Sequence, residues 1–179
     1  MSFTVLVGNP KPQSRTLAVA AAAAVALSDH IGMASGPGLV DLSVLARRLL
    51  LDTPSPAVEV AIEQVLDADL LLVASPTFKG TYSGLLKVFL DRLPYRGLAG
   101  VAAVPLMVMN SPQHALAVEV HLRPLLVELG ATVSAPGLAL LESELSDLDR
   151  VLGGWTAGVA RALGYATPSA GPALTGSRA

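Results

Sequence analysis

Residues 69–76 read DLLLVASP, and this stretch decides the fold. Its apolar residues follow one another without polar alternation, which is typical of a strand buried on both faces of a parallel sheet. The segment before it, Ala57–Ala68, has apolar residues at helical spacing and predicts a helix. The two segments together therefore predict an α/β domain in which helices cover both faces of a parallel sheet.

The same alternation of strand and helix extends in both directions along the chain. Further strands are predicted at Phe3–Val7, Leu39-Val40, Val101–Met109 and Thr132-Val133. Further helices are predicted at Arg15–Leu27, Gly84–Arg92 and His114–Leu129, the first two with Ser14 and Ser83 as N-caps. This order predicts a right-handed, doubly wound sheet within a single domain, residues 1–166. Residues 167–179 lack periodicity, and we expect them to form a disordered tail.

Composition excludes several classes of function. With 179 residues, 52% of them hydrophobic, the chain has room for one domain with a sizeable core. The net charge is -2 and the basic residues form no cluster denser than Arg47-Arg48, so we expect no nucleic-acid partner. The chain has 0 Cys, which excludes a disulfide framework, an iron–sulfur cluster and a thiolate nucleophile.

Hydropathy gives expectations about the surroundings of the protein. No apolar run reaches the roughly 20 residues that span a bilayer, so we expect no membrane partner. Because the chain starts with its first strand and no basic leader, we expect a cytoplasmic protein. The mean hydropathy of +0.58 suggests a face that is buried against another subunit.

Ligands of open α/β sheets bind outside the carboxyl ends of the strands. Three loops of this chain are expected at that edge, namely Gly8–Thr16, Ser75–Ser83 and Asn110–His114. The loops are therefore the candidate binding segments.

The first loop has the chemistry of a phosphate site. It places the hydroxyls of Ser14 and Thr16 and the cations of Lys11 and Arg15 at the start of a helix, where free N–H groups and the helix dipole favour an anion. Neither the Walker pattern nor the dinucleotide glycine pattern is present. The alternative is an ordinary serine-capped helix after a proline-rich turn.

The second loop suits a flat ring with a polar edge. It follows the doubly buried strand and offers backbone amides, the aromatic rings of Phe78 and Tyr82, Lys79 and Gly80. Apolar walls with a few polar anchors are the usual composition of such a site. The alternative is a glycine-bearing turn whose aromatic residues belong to the core.

Two motifs in these loops resemble a known family. Gly8-x-Pro10-x-x-x-Ser14-Arg15-Thr16 and Ser75-Pro76-Thr77-Phe78-Lys79-Gly80-x-x-Ser83-Gly84-Leu85-Leu86-Lys87 are similar to those of the NAD(P)H-dependent FMN reductases, especially the reductase partners of alkanesulfonate-type monooxygenases. The resemblance covers about Phe3–Leu145. It implies a flavodoxin-like, doubly wound, five-stranded parallel sheet in three layers.

The resemblance also implies the residues that bind the flavin. Ser14, Arg15 and Thr16 would hold the FMN phosphate, with Gly8 and Lys11 nearby. The isoalloxazine ring would lie against the second loop, at Pro76, Thr77, Phe78, Lys79 and Gly80.

The third loop matches the family only in part. Ser111 and His114 fit the pattern, whereas Met109-Asn110 stand where the family usually has two glycines. A side chain at such a position changes how closely the backbone approaches a ligand. His114 would contact the flavin or another subunit; the alternative is a residue of the first helical turn that makes only local hydrogen bonds.

Pro124 lies inside the predicted helix His114–Leu129, where it cannot donate a hydrogen bond to the carbonyl of Val120. Relatives of the resembled family often carry a π-bulge here, at a subunit interface close to the flavin, and Val120-His121 fall near that place. The alternative is a plain proline kink. Apolar residues occur all round this helix, which predicts that the helix lies in the interface of a homodimer or homotetramer.

The function implied by the resemblance is hydride transfer from NADPH or NADH to FMN, with the reduced flavin supplied, for example, to a flavin-dependent monooxygenase. This chemistry needs no protein nucleophile, because the cofactors carry it, and we expect neither a catalytic side chain nor a metal site. One alternative is a quinone, azo or nitro-compound reductase with bound FMN. Another is a flavin-binding electron carrier without turnover.

Overall fold

The computed structural model describes residues 1–51 and 53–165. They form one parallel sheet of five strands in the order β2-β1-β3-β4-β5. The strands are β1 (Phe3–Val7), β2 (Gly38–Asp41), β3 (Leu70–Pro76), β4 (Ala102–Met109) and β5 (Leu138–Leu141). The helices are α1 (Arg15–Ile31), α2 (Ala46–Leu49), α3 (Pro56–Leu66), α4 (Gly84–Leu90), α5 (Arg123–Glu128) and α6 (Leu148–Ala162). The predicted tail lies outside the described residues.

Helices cover both faces of the sheet, as predicted. One core cluster joins one face of the sheet to α1 and α6, and a second joins the other face to α3, α4 and α5. Every residue of β1 and β3 is buried. The uninterrupted apolar run of β3 is thus explained by its position inside a three-layer domain.

The first connection, from β1 to α1, is determined by local chemistry. Ser14 has an extended backbone, and its Oγ accepts a hydrogen bond from the N–H of Leu17 at 3.1 Å. Alanine-rich sequence then continues the helix to Ile31, and Gly32 ends it with a φ of 67°. The serine caps predicted for α1 and for α4, where Ser83 accepts from Leu86, are both confirmed.

The prediction of the last strand at Thr132-Val133 is wrong. Thr132 makes only an isolated bridge, in which its carbonyl accepts from the N–H of Ala103. The backbone nitrogen of Pro105, two residues further along β4, faces the same side as the N–H of Ala103. Because proline has no N–H, the ladder of hydrogen bonds cannot continue there. Pairing resumes only at Leu106, opposite the start of Leu138–Leu141.

The predicted helix His114–Leu129 is divided into three pieces. A 3₁₀ turn covers Pro112–His114, a π-helix covers Val118–Leu122, and α5 follows with Pro124 in its first turn. The π-bulge is therefore confirmed over the plain kink. Because the residues before Pro124 form a π-helix, the N–H that proline lacks is not required for an α-helical hydrogen bond.

A hydrogen-bond network connects the π-helix to the segment before β5. Arg123 donates to the carbonyls of Val133 and Ala135, and it forms an ion pair with Glu119. Glu119 also accepts from the N–H of Gly137 at 2.8 Å. The guanidinium of Arg123, aided by this N–H, lowers the pKa of Glu119.

Helix α6 was not predicted from the sequence. It carries Leu152, Thr156, Val159 and Ala160 on its buried face, but three glycines within it weaken the helical signal. Within residues 1–51 and 53–165, no helix is long and apolar enough to cross a membrane.

Candidate functional site

A cleft of about 440 Å³ lies at the carboxyl edge of the sheet. It is bounded by the ends of β1, β3 and β4, by the start of α1, and by the residue that follows β5. Its lining consists of Asn9, Pro10, Lys11, Gln13, Ser14, Arg15, Thr16, Pro76, Phe78, Val108 and Glu142. The first two predicted loops therefore meet in one cavity.

The loop after β1 prepares the start of α1 for an anion. Asn9 is buried; its Nδ2 donates to Oγ1 of Thr16 at 3.0 Å and its Oδ1 accepts from the N–H of Lys11 at 2.9 Å. The hydroxyls of Thr16 and Ser14 accept hydrogen bonds from Asn9 and Leu17, so each keeps its own proton for donation. Both hydroxyls can donate to a phosphate while the helix start supplies N–H groups.

Two cations and one carboxylate surround this anion site. Lys11 and Arg15 line the cleft, and Arg15 forms an ion pair with Glu142, which follows β5 directly. The side chain of Arg15 is 64% exposed, whereas that of Glu142 is 38% exposed. The cleft therefore presents one more positive than negative side chain, and one of its cations already has an anionic partner.

Gly8 supports the loop from beneath instead of lining the cleft. Its N–H donates to the carbonyl of Ala74 at 2.8 Å, and its own carbonyl accepts from the hydroxyl of Ser83. A Cβ added at Gly8 would lie 2.5 Å from Cβ of Leu86 in α4. A glycine is thus required where β1 and α4 approach each other.

The loop after β3 carries a tight turn. Phe78 and Thr81 exchange backbone hydrogen bonds at 2.8 and 3.2 Å, and the two residues between them, Lys79 and Gly80, have φ values of 54° and 83°. Such a pair forms a two-residue turn of the I′ kind. Phe78 is 47% exposed beside the cleft, so the alternative that places the aromatic residues in the core is wrong for Phe78. Tyr82, in contrast, is partly buried against the core, as that alternative expects.

The third loop reaches the same turn from the other side. Ser111 accepts from the N–H of Gln113, and the ring of His114 is the nearest group to the space that a Cβ on Gly80 would occupy, at 4.0 Å. Nδ1 of His114 and Oγ1 of Thr77 are buried, and within the described residues neither has a hydrogen-bond partner. Buried polar atoms of this kind are normally satisfied by a ligand or water when the protein structure does not satisfy them.

The structure brings half of the predicted site residues into the cleft lining. These are Lys11, Ser14, Arg15, Thr16, Pro76 and Phe78. The other six lie close by in the supporting backbone and the adjoining loops: Gly8, Thr77, Lys79, Gly80, Ser111 and His114. No contact with a ligand tests any of these assignments, so they stay predictions.

Sequence reasoning missed Glu142 and underrated Asn9. Glu142 was missed because the last strand was placed too early, at Thr132-Val133, so nothing located residue 142 at the edge of the sheet. The signal that could have found it is the acidic residue directly after the apolar run Leu138–Leu141.

A larger groove of about 590 Å³ lies between α1 and α6. It is lined by small apolar residues such as Ala22 and Gly153, with Asp29 and His30 among the few polar ones. It runs along two helices instead of lying at the strand ends. The smaller cleft is therefore the stronger candidate, because it combines strand ends, a helix start and paired charges.

Comparison with known proteins identifies the family of this chain. Residues 1–144 match the family described as NADPH-dependent FMN reductase. The FMN reductase (NADPH) of Escherichia coli is 41% identical over 93 residues, which cover 52% of this chain and 49% of that protein. The alignment thus spans about half the length of that relative.

Two further matches extend over most of the chain. The NADH-dependent FMN reductase SfnF of Pseudomonas fluorescens is 31% identical over 151 residues, or 82% of this chain and 80% of the relative. The apo crystal structure of an NADH:FMN oxidoreductase (EMOB) superposes with a TM-score of 0.81 and 30% identity, covering 94% of this chain and 91% of that one. These matches confirm the resemblance and the flavodoxin-like fold expected from it. The chain belongs to the NADPH-dependent FMN reductase family, oxidoreductases whose named members use FMN with NADH or NADPH.

Proposed function

We propose that residues 1–166 form a reductase domain that binds FMN in the cleft, reduces it with NADH or NADPH and releases the reduced flavin. The observation that carries this proposal is the meeting of two chemistries in one cavity. The start of α1 supplies hydroxyls and cations for a phosphate, and Pro76 and Phe78 supply an apolar wall beside it. FMN is a molecule with both a phosphate and a flat ring.

The residues present fit FMN at both of its ends. Ser14, Thr16 and the N–H groups of the first turn would hold the phosphate, with Lys11 and Arg15 as counter-charges. The partnerless buried atoms Thr77 Oγ1 and His114 Nδ1 would be satisfied by a ligand with donors and acceptors along its edge.

The second loop would supply the wall of the ring site, with the third loop beside its turn. Pro76 and Phe78 would contact the faces of the ring, and the turn at Lys79 and Gly80 would bring backbone amides to its edge. Ser111 caps the 3₁₀ turn of the third loop by accepting from the N–H of Gln113. Bound FMN supplies the hydride-accepting chemistry, while the protein positions the two nucleotides.

The exposure of the cleft supports FMN as an exchangeable substrate. Phe78 is 47% exposed and the side chain of Arg15 is 64% exposed in the single chain, so this chain by itself closes neither end of the site over a ligand. An open site lets one nucleotide leave before the next one binds. This supports release of reduced flavin to a second protein, for which we propose a flavin-dependent monooxygenase.

We also propose that the chain acts in the cytoplasm as a homodimer or homotetramer. Leu116, Val120 and Val127 are 69, 55 and 53% exposed on the segment that contains the π-helix and α5. Large apolar side chains grouped on one segment favour burial against a second copy. Light scattering tests this part, and a monomer at micromolar concentration would contradict it.

The test of function is a titration of the purified chain with FMN, followed by steady-state consumption of NADH or NADPH in the presence of FMN. We expect binding and repeated turnover. Turnover with a quinone but not with FMN would indicate a different acceptor. Oxidation of a single equivalent of nicotinamide nucleotide without turnover would indicate an electron carrier.

The phosphate assignment is tested by Arg15→Ala. Loss of a charge-assisted hydrogen bond predicts FMN binding weaker by about 1–3 kcal/mol. Riboflavin, which lacks the phosphate, should lose much less. Arg150→Ala is the matched control, because Arg150 is exposed and paired with Asp147 away from the cleft. Equal losses for FMN and riboflavin would show that Arg15 does not serve the phosphate.

A further inference from the structure

Glu142 places a carboxylate at the anion site of the cleft. It lines the same cavity as Ser14 and Thr16 and forms an ion pair with Arg15. A carboxylate in that position is paired with the guanidinium that a bound phosphate would need. Either the phosphate replaces it at Arg15, or both anions share one guanidinium.

We propose that Glu142 competes with the flavin phosphate for Arg15, and that it thereby weakens the preference of the site for phosphorylated flavins and speeds their release. This inference rests on the proposed function, since it concerns how that cleft holds FMN. It assigns a specificity-determining role to a residue outside the two sequence motifs.

The balance of charge in the cleft supports competition. The cleft is lined by two cations, Lys11 and Arg15, and by one carboxylate. A phosphate monoester carries close to two negative charges near neutral pH. Without Glu142, the two cations would match that charge, whereas with Glu142 the loaded site holds an excess of negative charge.

The backbone indicates which partner moves. Glu142 follows β5 directly, and the residue before it, Leu141, donates its N–H to the carboxylate of Glu144 at 2.8 Å. As long as β5 stays paired with β4, the backbone at residue 142 is held by the sheet and by this turn. Arg15 has a longer side chain and is 64% exposed, so its guanidinium can turn between the carboxylate and the phosphate.

The consequence is an exchange of partners at each binding event. When FMN binds, Arg15 passes from Glu142 to the phosphate, and the carboxylate remains near an anion without its counter-charge. When FMN leaves, Glu142 takes Arg15 back. This lowers affinity for FMN while leaving riboflavin unaffected, which suits an enzyme that must release its product.

The experiment is a titration of wild type and Glu142→Gln with FMN and with riboflavin, together with the rate of FMN dissociation. Removal of one charge a few ångströms from an anion in an exposed site predicts FMN binding that is tighter by about three- to tenfold. FMN dissociation should slow by a similar factor, and the Kd for riboflavin should stay unchanged. High salt should reduce the difference between the two proteins, because screening weakens exposed charges.

Asp147→Asn is the matched control, since Asp147 ends the 3₁₀ helix Glu142–Asp147 that begins with Glu142, and it pairs with Arg150 outside the cleft. It should leave both affinities as in wild type. A Glu142→Gln protein that binds FMN as wild type does would overturn the competition. One that binds FMN more weakly would overturn it and show that Glu142 positions Arg15. An equal gain for riboflavin would also overturn it.

The two proposals fail in different ways. Wild type that binds neither FMN nor riboflavin would overturn the proposed function itself. Wild type that binds and reduces FMN, with Glu142→Gln showing no gain in affinity, would overturn the role of Glu142 alone. A melting curve for each variant separates a loss of folding from a change in binding.

Discussion

The start of α1 and the segment 112–128 both follow a strand at the site edge, and helices were predicted at both, with a bulge or kink expected only in the second. Only α1 is continuous. Its beginning is held by contacts within its own loop, through Ser14, Asn9 and Thr16. The second segment is held by side chains that reach the backbone before β5. Local capping thus gives a regular helix, whereas tertiary contacts stabilise an irregular one.

The largest expected effect comes from breaking the regular region. Gly8→Ala places a Cβ 2.5 Å from the Cβ of Leu86, an atom fixed to the backbone of α4. Because neither atom can turn aside, we expect the free energy of unfolding to fall by about 2 kcal/mol. Urea denaturation followed by circular dichroism measures it.

Two glycine variants control this result. Gly154→Ala lies in α6 with nothing within 4 Å of the added Cβ, so alanine should raise stability there. Gly137→Ala probes the second region, where the added Cβ would lie 2.6 Å from Cγ2 of Val118. It should cost less than Gly8→Ala, because a side-chain end is displaced more easily. Equal stability of wild type and Gly8→Ala would show that the two elements can separate there.

The next effect comes from removing Pro124, which bars a continuous α-helix in the second region. Pro124→Ala restores an N–H opposite the carbonyl of Val120 and makes a continuous α-helix available. Since Pro124 lies in the first turn of α5, we expect stability to rise by about 1 kcal/mol, less than the roughly 3 kcal/mol of an interior position.

If the π-helix shapes the interface or the flavin site, Pro124→Ala also changes the oligomeric state or the turnover of FMN reduction. Light scattering and steady-state kinetics measure these properties. A more stable protein with unchanged assembly and unchanged kinetics would leave the π-helix without a functional role.

The smallest effect is expected at the link between the π-helix and the loop before β5. Glu119→Gln removes the ion pair with Arg123 but keeps an acceptor for the N–H of Gly137. The Glu119 side chain is 39% exposed, so screening limits the loss of stability to about 1 kcal/mol or less.

The ion pair between Glu119 and Arg123 also predicts that the stability of the protein depends on pH. Arg123 lowers the pKa of Glu119 below its usual value of 4.5, so the folded state favours the ionised carboxyl. This contribution is complete above the pKa of the unfolded chain and is lost as the pH falls through the lower pKa of the folded chain. The stability difference between wild type and Glu119→Gln should therefore shrink on acidification. A difference that stays constant between neutral and strongly acidic pH would contradict the ion-pair explanation.

The sequence predicted four strands and the α1 site loop because their signals are local. Buried runs such as Leu70–Pro76 and caps such as Ser14 act within a few residues of the chain. The last strand could not be placed in this way. The β-branched pair Thr132-Val133 looked like a strand, but Pro105, far away in sequence, interrupts the ladder opposite it.

The candidate site also divides into features with local sequence signals and features that depend on distant residues. Motif residues around Ser14 and Phe78 were predicted to serve one ligand, and the structure places them in one cleft. Glu142 required knowledge of where the last strand ends. The π-helix was expected near Val120-His121, but the contacts of Arg123 with Val133 and Ala135 that hold it in place could not be predicted from residue spacing.

Because Pro105 interrupts the ladder, β5 is expected to unfold more independently than the other four strands. Leu138–Leu141 pairs with only the second half of β4 and has an open outer edge. Opening of this strand by local unfolding would carry Glu142 away from Arg15 while the pairing of β2, β1, β3 and β4 stayed intact. One wall of the cleft thus belongs to an edge strand, and amide exchange should be faster there than in the central strands β1 and β3.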